Sequence, residues 1–345
     1  MKKHHLMRQC KAVGIFLIFI SVSVFTSVLS EQNHVSKGII KVDNEGDGDY
    51  TSIKAAVENA SQGDTIEIYS GTYVEENITI ETPALTLKGI PYELGNGGDS
   101  GNPQIIRRGW QTLFFLFSEG ITITGLALED EFNDHSWFPI IQVQNSLDCI
   151  ISNNEISNAG VGIESRYSYG VQITNNTLDE FMVAIIIKGG ENEVSGNLVS
   201  NANIGISVSV HQSSIIAKNR ITRCNKSILV SYSENALVCN NHMEDNKLAI
   251  YVEFSNDTTI KQNNFVNNEE DARHFNVKMI VFQKLSTVRN NWVENYWDKW
   301  LGIGPKLIKG SLDLLLPIFY WGYTDIPMRF IEFDRHPARK AYSIT

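Results

Sequence analysis

Residues 216–243 read IAKNRITRCNKSILVSYSENALVCNNHM, and the same motif occurs twice inside them. An apolar residue is followed by two others, then Asn, one other, and a second apolar residue: Ile216 to Ile221, and Val238 to Met243. Working outward, the motif recurs as Ile151 to Ile156, Ile173 to Leu178, Ile260 to Phe265 and Val288 to Val293, with Val194, Asn197 and Val199 as a further copy. Its Asn residues are Asn154, Asn176, Asn197, Asn219, Asn241, Asn263 and Asn291, spaced 22, 21, 22, 22, 22 and 28. Eight residues after each of the first five comes a small residue and then Ile: Gly162-Ile163, Ala184-Ile185, Gly205-Ile206, Ser227-Ile228 and Ala249-Ile250. Two features that keep one period mark an internal repeat, which is the signature of a solenoid.

Within each unit the apolar residues alternate over short stretches, are mostly Ile or Val, and are separated by Asn, Ser and Gly. That pattern describes two or three short strands joined by turns. A leucine-rich repeat would be dominated by Leu instead. The expected fold class is all-β, a single-stranded parallel β-helix with coils of ~22 residues stacked about 4.8 Å apart. In such a stack the Asn row falls in register as an internal amide ladder, so its role is structural.

The two ends differ from the middle. Leu85 to Ile90 and Ile121 to Leu128 read as earlier, less regular coils, with Leu126 where a ladder Asn would stand. Residues 43–75, DNEGDGDYTSIKAAVENASQGDTIEIYSGTYVE, hold a short helix that Ser52 can cap, with Ile53, Ala56, Val57 and Ala60 on one face. An open end of a β-helix is a row of unpaired strand edges, so this helix is expected as a lid. At the other end Trp292, Trp297, Trp300 and Trp321, with Tyr296, Phe319, Tyr320 and Tyr323, suggest an aromatic cap over residues 296–345 that follows a β-helix over residues 38–295. The alternative use of those rings is a sugar-stacking platform.

Lys2, Lys3, Arg8 and Lys11 precede an apolar run from Ala12 to Leu29, which is the pattern of an export signal or of an N-terminal membrane anchor over residues 1–30. The remainder of the chain is therefore expected to be secreted or extracytoplasmic, touching a membrane only through that segment. It carries a net charge of −14, which disfavours nucleic acid as a partner. Beyond Cys10, the cysteines Cys149, Cys224 and Cys239 are too few for a disulfide framework. Sequons at Asn59, Asn77, Asn175, Asn225 and Asn256 permit glycosylation without indicating it.

The coils resemble the right-handed parallel β-helix repeats of the pectate-lyase-like superfamily, and residues 43–75 look like the opening coil of pectinesterase-like helices. The repeat run, "NNWVENYWDKWLGIGPK" over residues 290–306 and the closing "FDRHPA" over 333–338 are most similar to the NosD-like group of secreted or surface proteins. The resemblance implies fold and export; for function it spans polysaccharide enzymes, binding proteins and copper-centre maturation factors.

Enzyme motifs do not narrow this range. Neither Asp-Asp nor Gly-His-Gly occurs, no Asp-Phe-Ile-Phe-Gly strand is present, and "RHPAR" at Arg335 to Arg339 is one residue short of the lyase Arg-x-Pro-x-x-Arg pattern. For copper, the residues grouped most closely are Cys239, His242 and Met243, yet Met243 falls on an inward row and His242 on an outward one. The turn after the Asn strand is more informative. The longer repeats, Leu126 to Asn154 and Asn263 to Asn291, are read as placing their extra residues there. The first insertion holds Glu129, Asp130, Glu131, Asp134, His135 and Trp137; the second holds Glu269, Glu270, Asp271 and His274. Carboxylates supply the hard oxygen ligands that calcium prefers, so Asp130 and Asp134 are candidate calcium ligands beside an indole that can stack on a sugar ring. The expectation is a surface β-helix protein that binds polysaccharide or a cell-surface glycan, with its processing left open. The alternatives are a NosD-like, non-catalytic factor for copper-centre assembly and a purely structural surface protein.

Overall fold

The computed structural model describes residues 37–344 except 96, 132–136, 210–212, 280–289 and 319–321, and the backbone alone of 277–279, 312–318, 322–328 and 330. The export signal expected over residues 1–30 lies outside the described residues. Among those described, no helix is long and apolar enough to cross a membrane.

The chain winds into a parallel β-helix of about ten coils. In the coils of the ladder a first strand leads through a turn at the ladder Asn into a second strand, which runs on into a third, without a break in Glu155–Arg166, Thr177–Lys188 and Leu198–Val208 and through a further turn in later coils, and a return turn reaches the next coil. In one coil these are Ile215–Ala217, Arg220–Thr222 and Lys226–Ser231. Every strand pairs in parallel with its equivalent one coil on, so that Ile151 faces Ile173, then Val194, Ile216, Val238, Ile260 and Trp292. These inward residues are buried and form one continuous core along the helix axis, which is how a solenoid hides an apolar face that no coil could bury alone.

The Asn ladder is present and continuous. Each Oδ1 accepts the backbone N–H of the preceding ladder residue, and each Nδ2 donates onward to the next Oδ1: Asn154 to Asn176 to Asn197 to Asn219 to Asn241 to Asn263, all side-chain steps at 3.0 Å. The backbone N–H of Leu126 donates to Asn154 Oδ1 at 3.1 Å, which places Leu126 at the ladder position as expected. The residue before each Asn adopts a left-handed φ, from 54 to 58° at Asn153, Asn175, Lys218, Asn240 and Gln262. Asn tolerates that region better than most side chains, which accounts for the recurring Asn-Asn pairs.

Asn291 is a correction. It is exposed on the outer side of the strand Asn291–Val293, opposite Thr259. The seventh ladder amide is Asn295, which receives Asn263 Nδ2 at 3.0 Å. Its flanking residues are Trp292 and Trp297 in place of aliphatic ones, and the spacing from Asn263 is 32. Asp334 then terminates the ladder: its Oδ2 accepts from Asn295 N at 2.9 Å, Asn295 Nδ2 at 3.1 Å and Trp297 Nε1 at 3.1 Å. With the anchor moved, the second insertion moves too. The turn between second and third strands keeps its ordinary length there, and the extra residues fall in the return turn, between Glu270–Met279 and Asn291–Val293.

The lid at the other end is a short helix, Ile53–Asn59, capped by Ser52 Oγ on Ala55 N, with Ile53, Ala56 and Val57 buried. The C-terminal region is a long antiparallel hairpin, Lys306–Ile318 with Gly322–Asp334. Its first strand continues the third-strand sheet alongside Glu270–Met279. Trp292 and Trp297 are buried in the last coil, and Trp297 stacks on Phe265 with centroids 4.1 Å apart. They close the core, so the platform reading fails for both; Trp321, Phe319 and Tyr320 lie outside the described residues.

Candidate functional site

The first insertion, between the second strand Ala127–Asp130 and the third strand Pro139–Gln144, does fall in the turn the sequence indicated. Asp134 and His135 lie outside the described residues. The other four residues are separated by their surroundings. Asp130 is buried and ion-paired to Arg107, which is itself fully buried and stands opposite it one coil earlier. The same guanidinium donates to Phe138 O at 2.8 Å, Pro139 O at 3.4 Å and Gln111 O at 3.4 Å. Arg107 therefore ties together the turns of two adjacent coils.

Glu131 and Glu129 are also engaged. Glu131 accepts from Arg108 Nε at 2.7 Å and Nη2 at 3.1 Å, the two-point geometry that suits a guanidinium and a carboxylate. Glu129 accepts from Gln104 Nε2 at 3.2 Å and Asn158 Nδ2 at 2.8 Å. This geometry gives the calcium expectation no support: Asp130 is committed to a buried cation and Glu131 to a surface one, while Asp134 lies outside the described residues. Among the described residues no three His, Cys, Asp or Glu side chains converge as metal ligands.

Beside the exposed Arg108–Glu131 pair, the described residues of these two turns present aromatic rings to solvent. Trp110, on the earlier turn, is 66% exposed, and Trp137, on the insertion, is 68% exposed with Phe138 beside it. Large aromatic rings exposed at the surface forfeit burial, and sugar rings are ligands whose apolar faces stack on them. Alongside runs a groove of about 410 Å³ on the outer face of the second strands, walled by Gln104, Glu129, Glu155, Ser157, Thr177 and Asp179. Glu155 accepts from Asn102 and Asp179 from Asn201, so polar side chains fix the orientation of the groove's walls.

Sequence reasoning reached Trp137 and missed Trp110, Arg107 and Arg108. A signal was available, since Arg107-Arg108 stands 23 residues before Asp130-Glu131, close to one coil length.

The copper grouping does not assemble. Met243 is wholly buried, and His242 lies outward between Glu244 and Asn264. Cys239 points out from a different strand, and burial raises its pKa above that of an ordinary thiol. Burial likewise pushes Cys149 and Cys224 up to about 11, which disfavours the thiolate that a soft metal needs. His34, His135 and His211 lie outside the described residues. The described side chains thus do not fit a copper centre.

The second acidic group lies at the third strand instead of in an insertion, with Glu269 just before it and Glu270, Asp271 and His274 within Glu270–Met279. Glu270 pairs with Arg273, and Asp271 receives Lys306 Nζ at 3.0 Å. His274 is buried beneath Gly310, and desolvation lowers its pKa while the Glu332 carboxylate opposes that shift.

A family model described as periplasmic copper-binding protein (NosD) matches residues 57–224 and 100–302. No curated protein matches the chain. Among solved structures, XylC in complex with xylose aligns with a TM-score of 0.55 at 12% identity, over 84% of this chain and 73% of that one. A family 28 exopolygalacturonase from Yersinia enterocolitica aligns with a TM-score of 0.51 at 10% identity, over 75% of this chain and 66% of that one. At such identities the likeness is one of fold.

Proposed function

The chain belongs to the NosD family, and from that premise we propose that it is an extracytoplasmic β-helix protein that binds polysaccharide on the edge carrying Trp110 and Trp137. The observation that carries this reading is the buried Arg107. It holds both turns through Asp130, Gln111 and Phe138, so two exposed indoles are presented from neighbouring coils on a rigid base. Preorganised rings lose little conformational entropy when a ligand stacks on them, and a chain of sugars can run from them into the adjoining groove.

The alternative of copper-centre assembly has the family description in its favour, but the described side chains supply no ligand set for it. A carbohydrate reading also fits the alignment to XylC and the exopolygalacturonase, although the fold alone is shared.

A glycan array probed with the protein, followed by titration of any polysaccharide that is retained, tests the proposal. Trp110→Ala and Trp137→Ala are each expected to weaken binding at least tenfold while leaving the melting temperature in place. Retention of full affinity in the double variant would refute this site, and an array without signal would refute the reading itself.

A further inference from the structure

A second cavity, of about 520 Å³, lies at the C-terminal end of the helix, between the third strand Glu270–Met279 and the hairpin strand Lys306–Ile318. Its origin is visible in the repeat. The residue that opens the third strand is small in coil after coil: Gly162, Ala184, Gly205, Ser227 and Ala249 occupy one register row. Close stacking enforces this, since a Cβ at Gly162 would stand 2.6 Å from Ala184 O, and one at Gly205 2.6 Å from Ser227 O. In the last coil the same row ends in Asp271. The hairpin strand Lys306–Ile318 covers this coil but pairs with it only from Arg273 opposite Lys309 onward, and ahead of those pairs the cavity opens between the two strands.

Asp271 is 8% exposed and lines this cavity. Its Oδ2 accepts from Lys306 Nζ at 3.0 Å, while the buried Oδ1 has no hydrogen-bond donor among the described residues. A buried carboxylate oxygen left without a donor is costly, and a bound hydroxyl would relieve it. Lys306 is fixed in place as well, with its ammonium 5.2 Å above the Trp297 ring, and an ammonium has three donors of which Asp271 uses one.

The charge of the lining decides what enters. Glu269, Glu270 and Asp271 are balanced by Arg273, Lys306 and Lys309, so no net field selects a cation or an anion. Two adjacent groups of opposite capacity remain, an acceptor at Asp271 Oδ1 and a donor at Lys306 Nζ, above an apolar floor of Ala272 and Ile308. We infer that this cavity is a binding site for a neutral sugar unit, engaged through a vicinal diol: one hydroxyl donates to Asp271 Oδ1, its neighbour accepts from Lys306 Nζ, and the ring's apolar face lies on Ala272 and Ile308. The site is separate from the tryptophan edge and does not depend on it. It suits a single residue or a chain end, while the edge suits the length of a chain.

Calorimetric titration of the full protein with neutral monosaccharides (xylose, glucose, galactose, mannose), and with galacturonate as an anionic comparison, tests the inference. At least one neutral sugar is expected to bind saturably, with galacturonate at least tenfold weaker. Asp271→Asn, which keeps the shape, and Lys306→Met are each expected to lose at least tenfold in affinity. Trp110→Ala with Trp137→Ala should leave the monosaccharide unaffected, so failure here and failure at the edge are told apart. The inference is overturned if the parent binds none of these sugars. Unchanged affinity in folded Asp271→Asn and Lys306→Met proteins overturns it equally.

Discussion

Replacing Asn219 by Leu isolates what the amide ladder contributes. Asn219 Nδ2 donates to Val194 O at 2.9 Å and Asn241 Oδ1 at 3.0 Å, and its Oδ1 accepts from Asn197 N and Asn197 Nδ2, each at 3.0 Å. In the variant, Asn241 Oδ1 keeps the backbone N–H of Asn219, and Asn197 Nδ2 keeps Ile173 O. Two groups are stranded: the backbone N–H of Asn197, and a lone pair of Val194 O that the strand ladder does not use. At about 2 kcal/mol for each of the two buried orphans, less about 2 kcal/mol regained by burying a Leu side chain, the net loss is about 2 kcal/mol. Denaturant unfolding followed by circular dichroism measures it. Because coils touch only their neighbours, native-state hydrogen exchange should show the opening concentrated at the Asn197 amide. Asn295→Leu is expected to cost at least as much, since it also strips a donor from Asp334, whereas Asn291→Leu should stay within about 0.5 kcal/mol because it changes a surface side chain. Equal midpoints for the Asn219 variant and the parent, or a loss at Asn291 and none at Asn295, would refute the register.

Arg107→Met should destabilise by about 3 to 5 kcal/mol by leaving Asp130 buried without its cation, and adding Asp130→Leu should restore most of the loss, as paired apolar replacements do; unfolding of the single and double variants checks this. Gly310→Ala places a Cβ 1.9 Å from His274 Nε2, so a loss of at least about 1 to 3 kcal/mol is expected. The lowered pKa of His274 means that the folded state prefers the neutral ring, so its contribution is complete above the ordinary value of 6.5 and is lost as pH falls through the lower folded-state value. His274→Asn should therefore flatten the fall in melting temperature on acidification below about pH 6.5, and an unchanged slope would count against it. Cys149 and Cys224, held near 11, should resist a thiol reagent at pH 8 until the protein is unfolded.

The middle of the helix was legible because one physical constraint acts there repeatedly. Each ladder Asn must satisfy the same two backbone groups, and each small residue must admit the same neighbouring carbonyl, so the residues return at coil length. Where the constraint changes, the reading slips. Asn295 meets the ladder requirement between Trp292 and Trp297, and an aliphatic motif passes over it in favour of Asn291. That slip carried the second insertion to the wrong turn. A second internal ladder, in which Cys224 N donates to Asn246 Oδ1 and Asn246 to Asn268 Oδ1, went unread because two amides are too few to show a period.

The two candidate sites follow the same logic in opposite directions. At Asp130 the sequence shows a carboxylate in an acidic loop, which suggests a cation ligand, but the coil before it supplies Arg107 at the facing position. Side-chain identity alone cannot distinguish these cases, because partners one coil apart in space are 23 residues apart in the chain. At Asp271 the surroundings act the other way. Its row holds Gly, Ala or Ser in the five preceding coils, and at Asp271 the backbone pairing to the next strand begins only two residues later, at Arg273. A solenoid end thus relaxes the packing rule of its interior and leaves a polar group facing a space of ligand size. On this argument a substitution that refilled the cavity would be tolerated by the fold and would abolish the site. Asp271→Leu removes a carboxylate whose protonation burial favours and at the same time the partner of Lys306, whose side chain still reaches solvent, so it should fold and bind no monosaccharide.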